Sequence, residues 1–451
     1  RVDAAVSAIR LGAFASVLVA PFLFGAVERS IWIPLCELWI ALGIISFRLT
    51  SADPSRRRSS GDPAFLALLP VHILFLIQLC PLPVFVLRFI SPGSYAAYVL
   101  PDLHDGKWHP ISVSIGATLE AWIYVAGLEG LFFCLSGASR DGRRRMLCAI
   151  AVASLALGAE GLWQSRSAHP DWLYARVPIF APVGLQNSTF GPYFNRNHFA
   201  TITALGAALC AGLAATRVQL ERGRSLLQDQ TSLAWVVSWA GASGFLLLTT
   251  AASGSRSGLL AALFGVSVVL VRKFERRHLL ASLTIILGLS VALLLTGAFA
   301  IERLANSTIV ASRVPAWMDI VTVLRFFPAF GSGIGAFSAA YWPYQMNVRY
   351  EVWLHAHNDY LEWIIEGGLL GLIVLFVVVR RLRRSVLIEA AGREPLLAAV
   401  SAFALQAFFD FPARIPANAA LFVCVLALTT TRDGWRDQPT TSPGSTVGSQ
   451  K

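Results

Sequence analysis

Residues 367–384 read GGLLGLIVLFVVVRRLRR, a run of apolar residues that ends in four arginines. An apolar helix of about 20 residues crosses the hydrocarbon core of a bilayer, and arginines beside such a helix are typical of a cytoplasmic loop. The same alternation of apolar runs and basic clusters recurs along the chain, as at Arg56–Arg58, Arg143–Arg145 and Arg272–Arg277. We therefore predict an all-α, polytopic inner-membrane protein.

The composition also indicates a membrane environment. Of the 451 residues, 55% are hydrophobic and 14% are charged, whereas a soluble domain carries about 25% charged residues. The net charge of +11 would suit a nucleic-acid-binding protein, but such proteins gather basic and aromatic residues on a soluble face. Here the basic residues lie between the apolar runs. The composition therefore favours contacts with membrane lipids and argues against a nucleic-acid partner.

Twelve apolar runs are long enough to be predicted as membrane-spanning helices. Loops rich in lysine and arginine alternate with poorer ones, so both chain ends are expected in the cytoplasm. Pro81 and Pro83 interrupt the third run, which should span by about Cys80 and continue as a kinked or interfacial piece. The predicted helices lie near residues 9–28, 31–48, 64–90, 115–136, 146–163, 197–216, 232–251, 257–272, 279–300, 358–379, 395–411 and 415–431.

We expect a single integral membrane domain over residues 1–431. Three of the loops expected outside the cytoplasm are long, near 91–114, 164–196 and 301–357, and loops of this length usually carry function or are disordered. The last, between predicted helices 9 and 10, is rich in Trp, Tyr and Phe and is expected to form a folded periplasmic cap. Residues 432–451 are rich in Ser, Thr, Gly and Pro and are expected to be a disordered cytoplasmic tail.

The most informative polar segment, residues 355–366 with the sequence HAHNDYLEWIIE, lies where the tenth predicted helix begins. Ionisable residues at such a place usually have a role in binding or catalysis. His357 is a candidate general base, since histidine is the side chain best suited to proton transfer near neutral pH. His355 and Asn358 are candidate binding residues beside it.

Two other interpretations of this segment stay open. It is also the pattern of an ordinary interfacial cap, with Asp359 favourable at the positive end of a helix. A metal site built on His355 and His357 would need a third ligand, and none is evident in the sequence. We therefore predict no metal.

Three arginines belong to segments on the same expected side of the membrane. Arg256 lies in the Gly- and Ser-rich turn 253–258, which would hold an anion on its backbone N–H groups or simply join two helices. Arg196 and His198 open the sixth predicted helix, and snorkelling alone would explain Arg196. Arg313 lies in the long loop. Because a guanidinium matches phosphate oxygens, these residues predict a periplasmic site for a phosphate-bearing lipid.

These segments resemble the bacterial O-antigen ligase and O-antigen polymerase superfamily. The ligases have His followed by Asn, Ser or Gln, then nine residues, Gly, two residues, and then Gly, Thr or Tyr. His357-Asn358, Gly368 and Gly371 reproduce that spacing. The resemblance covers about 180–430, and its other segments are Asn195–Phe199, Ser255–Gly258, Arg313–Trp317, Gly331–Gly335, Asp410–Pro412 and Ile415–Asn418.

The resemblance implies a glycosyltransferase-C-like fold and an enzyme without cofactor or metal. Its donor would be a glycan on undecaprenyl pyrophosphate, taken at the periplasmic face and passed to lipid A-core in a ligase. His357 would be the base, Arg256, Arg313 and Arg196 would hold the pyrophosphate, and Asn358, His355 and His198 would complete the binding site. The alternatives are a polymerase for O-antigen or exopolysaccharide, a protein O-oligosaccharyltransferase, and a transporter, which should bind near the midplane on broken helices.

Overall fold

The computed structural model describes residues 2–51, 63–99, 107–176, 189–220, 229–273, 308–346, 353–385 and 393–429. These residues form fifteen α-helices and one small two-stranded sheet. The prediction of an all-α protein is confirmed. The ninth predicted span, near 279–300, and the predicted tail, 432–451, lie outside the described residues.

The helices are numbered here in chain order. They are α1 (Val2–Val19), α2 (Arg29–Ser51), α3 (Pro63–Leu79), α4 (Val84–Ile90), α5 (Pro92–Val99), α6 (Ile115–Leu135), α7 (Arg140–Gln164), α8 (Arg196–Leu220), α9 (Gln230–Ala252), α10 (Arg256–Lys273), α11 (Thr308–Val323), α12 (Phe337–Tyr341), α13 (Asp359–Ser385), α14 (Arg393–Phe409) and α15 (Pro416–Thr429). Strand β1 (Leu82–Pro83) pairs antiparallel with β2 (Trp108–His109).

Seven segments are long and apolar enough to cross a membrane: Val2–Phe22, Arg29–Thr50, Ile115–Leu135, Asp141–Gln164, Arg196–Val218, Gln230–Ala252 and Asp359–Arg381. Four shorter apolar segments coincide with the remaining predicted spans that the structure describes: Leu68–Leu79, Arg256–Val271, Glu394–Phe409 and Pro416–Leu428. The chain is therefore a multi-pass membrane protein.

The third predicted span is interrupted where its prolines predict. Helix α3 ends at Leu79, and the chain continues as β1 and then as the separate short helix α4. Proline has no N–H and cannot continue the helical ladder. Phe85 and Phe89, four positions apart on α4, are both exposed, so α4 presents an aromatic face away from the rest of the protein.

Helix α8 lies at the centre of the bundle and packs against α9, α10 and α14. Small residues let these helices approach closely, which is how membrane helices gain packing contacts. A Cβ on Gly212 of α8 would lie 2.3 Å from the Cα of Pro395 at the start of α14. This packing matters for the site, because the site residues lie at the start of α8 and just after α14.

Part of the long predicted loop, 308–346, is helical. It contains α11, α12 and the three-residue 3-10 helix Trp342–Tyr344. Ile320, Phe327, Tyr341 and Trp353 pack together in its own apolar cluster. The position of this segment relative to the bilayer stays a prediction.

Candidate active site

His357 lies two residues before α13 and is held there by the cap of that helix. The Oδ1 of Asn358 accepts hydrogen bonds from the backbone N–H groups of Tyr360 (3.1 Å) and Leu361 (3.0 Å). Such a cap satisfies N–H groups that have no partner within the helix. His357 itself has φ +48°, a conformation uncommon outside glycine and often found at functional sites. Asn358 is buried. Its Oδ1 caps the helix and thereby fixes the backbone position of His357.

A buried carboxylate orients the His357 ring. Nδ1 of His357 lies 2.9 Å from Oδ1 of Asp410, which follows the last residue of α14 and is fully buried. Because an ionised carboxylate only accepts hydrogen bonds, Nδ1 carries the proton and Nε2 keeps its lone pair. The His357 side chain is 28% exposed. The arrangement is that of a general base whose tautomer is set by an acid behind it.

Asp410 was not among the predicted site residues, although it lies in a segment that resembles the superfamily. It is 53 positions from His357. The sequence does contain a signal for Asp410. Like His357, it is an ionisable residue at the end of an apolar helix.

Phe411 brings three histidine rings together. The ring of His355 stacks on it at 4.2 Å between centroids. The rings of His357 and His198 meet it edge-on, each at 4.8 Å. His198 comes from the start of α8, so the tertiary structure joins two predicted segments that are far apart in the chain.

A second carboxylate, Glu362, holds the segment before α13. Its Oε1 lies 2.9 Å from Nδ1 of His355, and its Oε2 accepts the backbone N–H of Ala356 at 2.8 Å. Arg414 bridges Glu362 (3.3 Å) and Glu366 (2.5 Å), and all three side chains are largely buried. Burial by itself lowers the pKa of Arg414, but Glu366, Glu362 and Asp359 raise it, and the result lies above the ordinary value. Arg414 therefore ties the turn after α14 to α13.

Replacing Arg414 by methionine is expected to destabilise the fold by roughly 3–5 kcal/mol, because two buried carboxylates lose their shared cation. The measurement is the midpoint of thermal unfolding in detergent. The matched control is Arg29→Met, which removes an exposed ion pair with Glu120 at 3.0 Å and should cost about 1 kcal/mol or less. Equal shifts in the two variants would contradict the role assigned to Arg414.

Helix α13 is broken at Gly368, where φ is +60° and ψ is −159°. The N–H groups of Leu369 and Leu370 donate to the carbonyls of Pro328 and Ala329, each at 2.9 Å. A Cβ on Gly368 would lie 2.4 Å from the backbone N of Gly331. The positive φ and the close backbone contact therefore require glycine at position 368, which is one of the two glycines of the His-Asn motif.

The side-chain amide of Gln78, at the end of α3, stabilises the backbone at this break in α13. Its Nε2 donates to the carbonyls of Phe330 and Glu366, both at 2.7 Å, and its Oε1 accepts the N–H of Ile334 at 2.9 Å. A buried amide with its partners in place gives a rigid connection. The glycine-rich turn at 331–335 is therefore part of the scaffold that holds α13.

Gly368→Ala is expected to lower the free energy of unfolding by roughly 2–4 kcal/mol, since the variant combines a strained φ with a steric clash. Gly371→Ala is the matched control within the same motif. The nearest atom to a Cβ there is 3.5 Å away, and alanine is favoured over glycine inside a helix. Thermal unfolding of both variants tests this, and a Gly371→Ala protein as unstable as Gly368→Ala would contradict it.

The structure brings the segments of Arg196 and Arg256 side by side. Arg256 begins α10 and is exposed, and Nη1 of Arg196 lies 3.5 Å from where a Cβ on Gly254 would be. Oγ of Ser255 donates to Oδ1 of Asn197 at 2.8 Å and joins the two segments. The turn after α9 therefore lies next to two arginines. Arg256 follows it at the start of α10, and Arg196 lies against it from the start of α8.

These two segments also connect to the helix that ends beside His357. Nε2 of Gln406, on α14, lies 3.3 Å from Oγ of Ser257. On the other side, Nε1 of Trp317 on α11 donates to the carbonyl of Ala356 at 2.8 Å. Arg313 is on α11 one turn earlier, and its side chain lies outside the described residues. In the part of the chain that the structure describes, no three His, Cys, Asp or Glu side chains are arranged to hold a metal.

Residues 241–376 match the O-antigen ligase family (Wzy_C). The chain therefore contains a region similar to the O-antigen ligase family. Comparison with curated proteins gives no match. The family implies glycosyl transfer of the O-antigen ligase or polymerase type on lipid-linked glycans.

The region that matches the family contains only part of the candidate site. Arg256, Arg313 and His357 fall within the matched residues, whereas His198 and Asp410 fall outside them. His198, on α8, and Asp410, just after α14, therefore come from segments on either side of the matched region.

Proposed function

We propose that the chain is a membrane glycosyltransferase that moves a glycan from undecaprenyl pyrophosphate to a hydroxyl acceptor, as an O-antigen ligase does with lipid A-core. The observation that carries this proposal is the 2.9 Å contact between His357 and the buried Asp410. It leaves Nε2 of a partly exposed ring to accept a proton. The glycosyltransferase-C-like architecture implied by the resemblance is part of the proposal.

In this reaction Nε2 of His357 takes the proton of the acceptor hydroxyl as its oxygen attacks the anomeric carbon. The new glycosidic C–O bond forms as the bond from that carbon to the pyrophosphate oxygen breaks. The electron pair leaves with the carrier pyrophosphate, and Asp410 stabilises the imidazolium that forms. Direct attack inverts the configuration at the anomeric carbon.

The leaving group is the second part of the chemistry. Pyrophosphate develops negative charge as it departs, and fixed arginines stabilise such charge. Arg256 and Arg196 are suited to this role, because their segments adjoin and connect through Gln406 to the helix that ends just before Asp410. Arg313 is assigned the same role on the other side, from α11.

The site is proposed to face the periplasm, with both chain ends in the cytoplasm, as the arginine-rich loops predict. A polymerase or a protein glycosyltransferase would use the same chemistry with another acceptor. A transporter fits less well, because its binding site would lie near the midplane, whereas these side chains lie at helix ends.

Deletion of the gene tests the proposal and separates the acceptors. The surface polysaccharides and the carrier-linked glycans of the deletion strain, and of the same strain with wild type restored, are compared on gels. Long carrier-linked chains are expected for a ligase, and single carrier-linked repeats for a polymerase. An unchanged carrier pool, with the restored protein present in the membrane, would overturn the proposal and favour transport.

A further inference from the structure

His198 is placed differently from a residue that binds substrate. Only 9% of its side chain is exposed, and its Nε2 lies 3.8 Å from Oδ2 of Asp410. The other oxygen of the same carboxylate contacts His357. Nε2 of His198 is buried without a hydrogen-bond partner in the described structure, and a buried ring nitrogen left in that state is costly.

The backbone around His198 is fixed. Its N–H donates to the carbonyl of Asn195 at 3.0 Å, and its own carbonyl accepts Nδ2 of Asn418 at 3.0 Å. The Asn418 side chain is held in turn by the hydroxyl of Tyr193 at 3.0 Å. Phe411 packs edge-on against the ring. The backbone of His198 is therefore held in place, while its ring contacts Phe411 and lies near Asp410.

We propose that His198 is a positioning residue whose Nε2–H donates to Oδ2 of Asp410 in the working enzyme. An approach of about 1 Å converts the observed separation into a hydrogen bond. Asp410 is then held by two imidazoles, one on each oxygen. The inference rests on the proposed function, because His198 acts only through Asp410 and His357.

The benefit of this arrangement is orientation. A carboxylate with a single partner can rotate about its last bond and carry the His357 ring with it. A donor on the second oxygen fixes the carboxylate plane and so the direction of Nε2 of His357. Partners one step behind a catalytic group commonly hold it in this way, and small losses of alignment lower the rate of the chemical step.

The test is steady-state kinetics with purified protein in detergent. The donor is the carrier-linked glycan extracted from the deletion strain, and the acceptor fraction comes from a strain that cannot make the donor. His198→Leu fills similar space without a donor and is expected to lower kcat roughly tenfold with KM unchanged. His198→Gln retains an N–H donor and is expected to stay within about threefold of wild type. The control is His109→Leu, at another buried histidine, and should keep the wild-type kcat.

A double-mutant cycle shows whether His198 acts through Asp410. With Asp410→Asn already present, adding His198→Leu is expected to cause no further loss in single-turnover assays with excess enzyme. Independent losses that multiply would overturn the proposal. So would a raised KM with unchanged kcat, which would make His198 a substrate contact as the sequence predicted.

Three further outcomes are distinguishable. If His198→Leu does not accumulate in the membrane, His198→Gln is compared with His198→Asn, whose amide is one methylene shorter, and equal rates would overturn the proposal. If His357→Ala transfers glycan at the wild-type rate, the proposed function itself fails. If His357→Ala is inactive while His198→Leu is fully active, only the role of His198 fails.

Discussion

Replacing His357 by alanine is expected to lower the rate of glycan transfer roughly 100- to 10,000-fold, the range that a general base contributes. The variant leaves the acceptor hydroxyl with no group to take its proton. Alanine should fit the site, because the positive φ of His357 is held by the α13 cap and by the Trp317 contact to the preceding carbonyl. The measurement is transfer from the extracted carrier-linked glycan, with membrane levels compared on immunoblots.

The control for this variant is His109→Ala, on strand β2, where the ring stacks on Tyr98. It should transfer glycan at the wild-type rate. A His357→Ala protein that is present in the membrane and as active as this control would refute the base assignment. A His357→Ala protein that binds the donor normally but does not transfer it would place the defect in the chemical step.

Changing Asp410 to asparagine is expected to lower kcat by up to roughly 10,000-fold, the loss that follows when the buried aspartate of a serine-protease triad is changed in this way. The asparagine side chain has nearly the same shape but no charge, so it cannot stabilise the imidazolium of His357. Its NH₂ group can also donate to Nδ1 and move the ring proton to Nε2, where it blocks the base. The fold should change little, because the variant removes a buried charge and not a packing contact.

Asp359→Asn is the matched control for Asp410→Asn. Asp359 is also a carboxylate at the junction of α13 with the turn after α14, and its Oδ2 accepts the backbone N–H of Ala413 at 2.9 Å. An asparagine oxygen can accept the same bond. We therefore expect most of the activity to remain. Similar losses in the two variants would show that the junction needs charge in general, and not a carboxylate behind His357.

The site contains two groups of residues, the proposed catalytic pair and a buried ion cluster that stabilises the loop around it. His357 has a partly exposed ring, and its acid partner is buried. Glu362, Glu366 and Arg414 form a buried ion cluster that fastens the same loop. A buried charge that loses its partner is strongly destabilising. Substitutions in this cluster should therefore act on the amount of folded protein, and substitutions at His357 and Asp410 on the rate.

The sequence by itself determined where the apolar helices of this protein lie along the chain. The free energy of moving a helix into lipid is a sum over its own residues and depends little on its neighbours. The sequence therefore predicts the spans from local composition. Eleven of the twelve predicted spans fall within the described residues, and the structure has a helix at each of the eleven. The interruption at Pro81 was predictable for the same local reason, a missing N–H. His357 was found because a polar residue at the mouth of an apolar run needs an explanation of its own.

Only the tertiary structure decided which of these residues lie together. Asp410 meets His357, and His198 meets Asp410, through the packing of α8 and α14 around small residues such as Gly212. Side-chain contacts between helices depend on rotation and depth within about an ångström, and hydrophobic run lengths do not specify either. The burial of His198, which the sequence predicted as a binding residue, follows from the same packing and assigns it to the carboxylate behind the base.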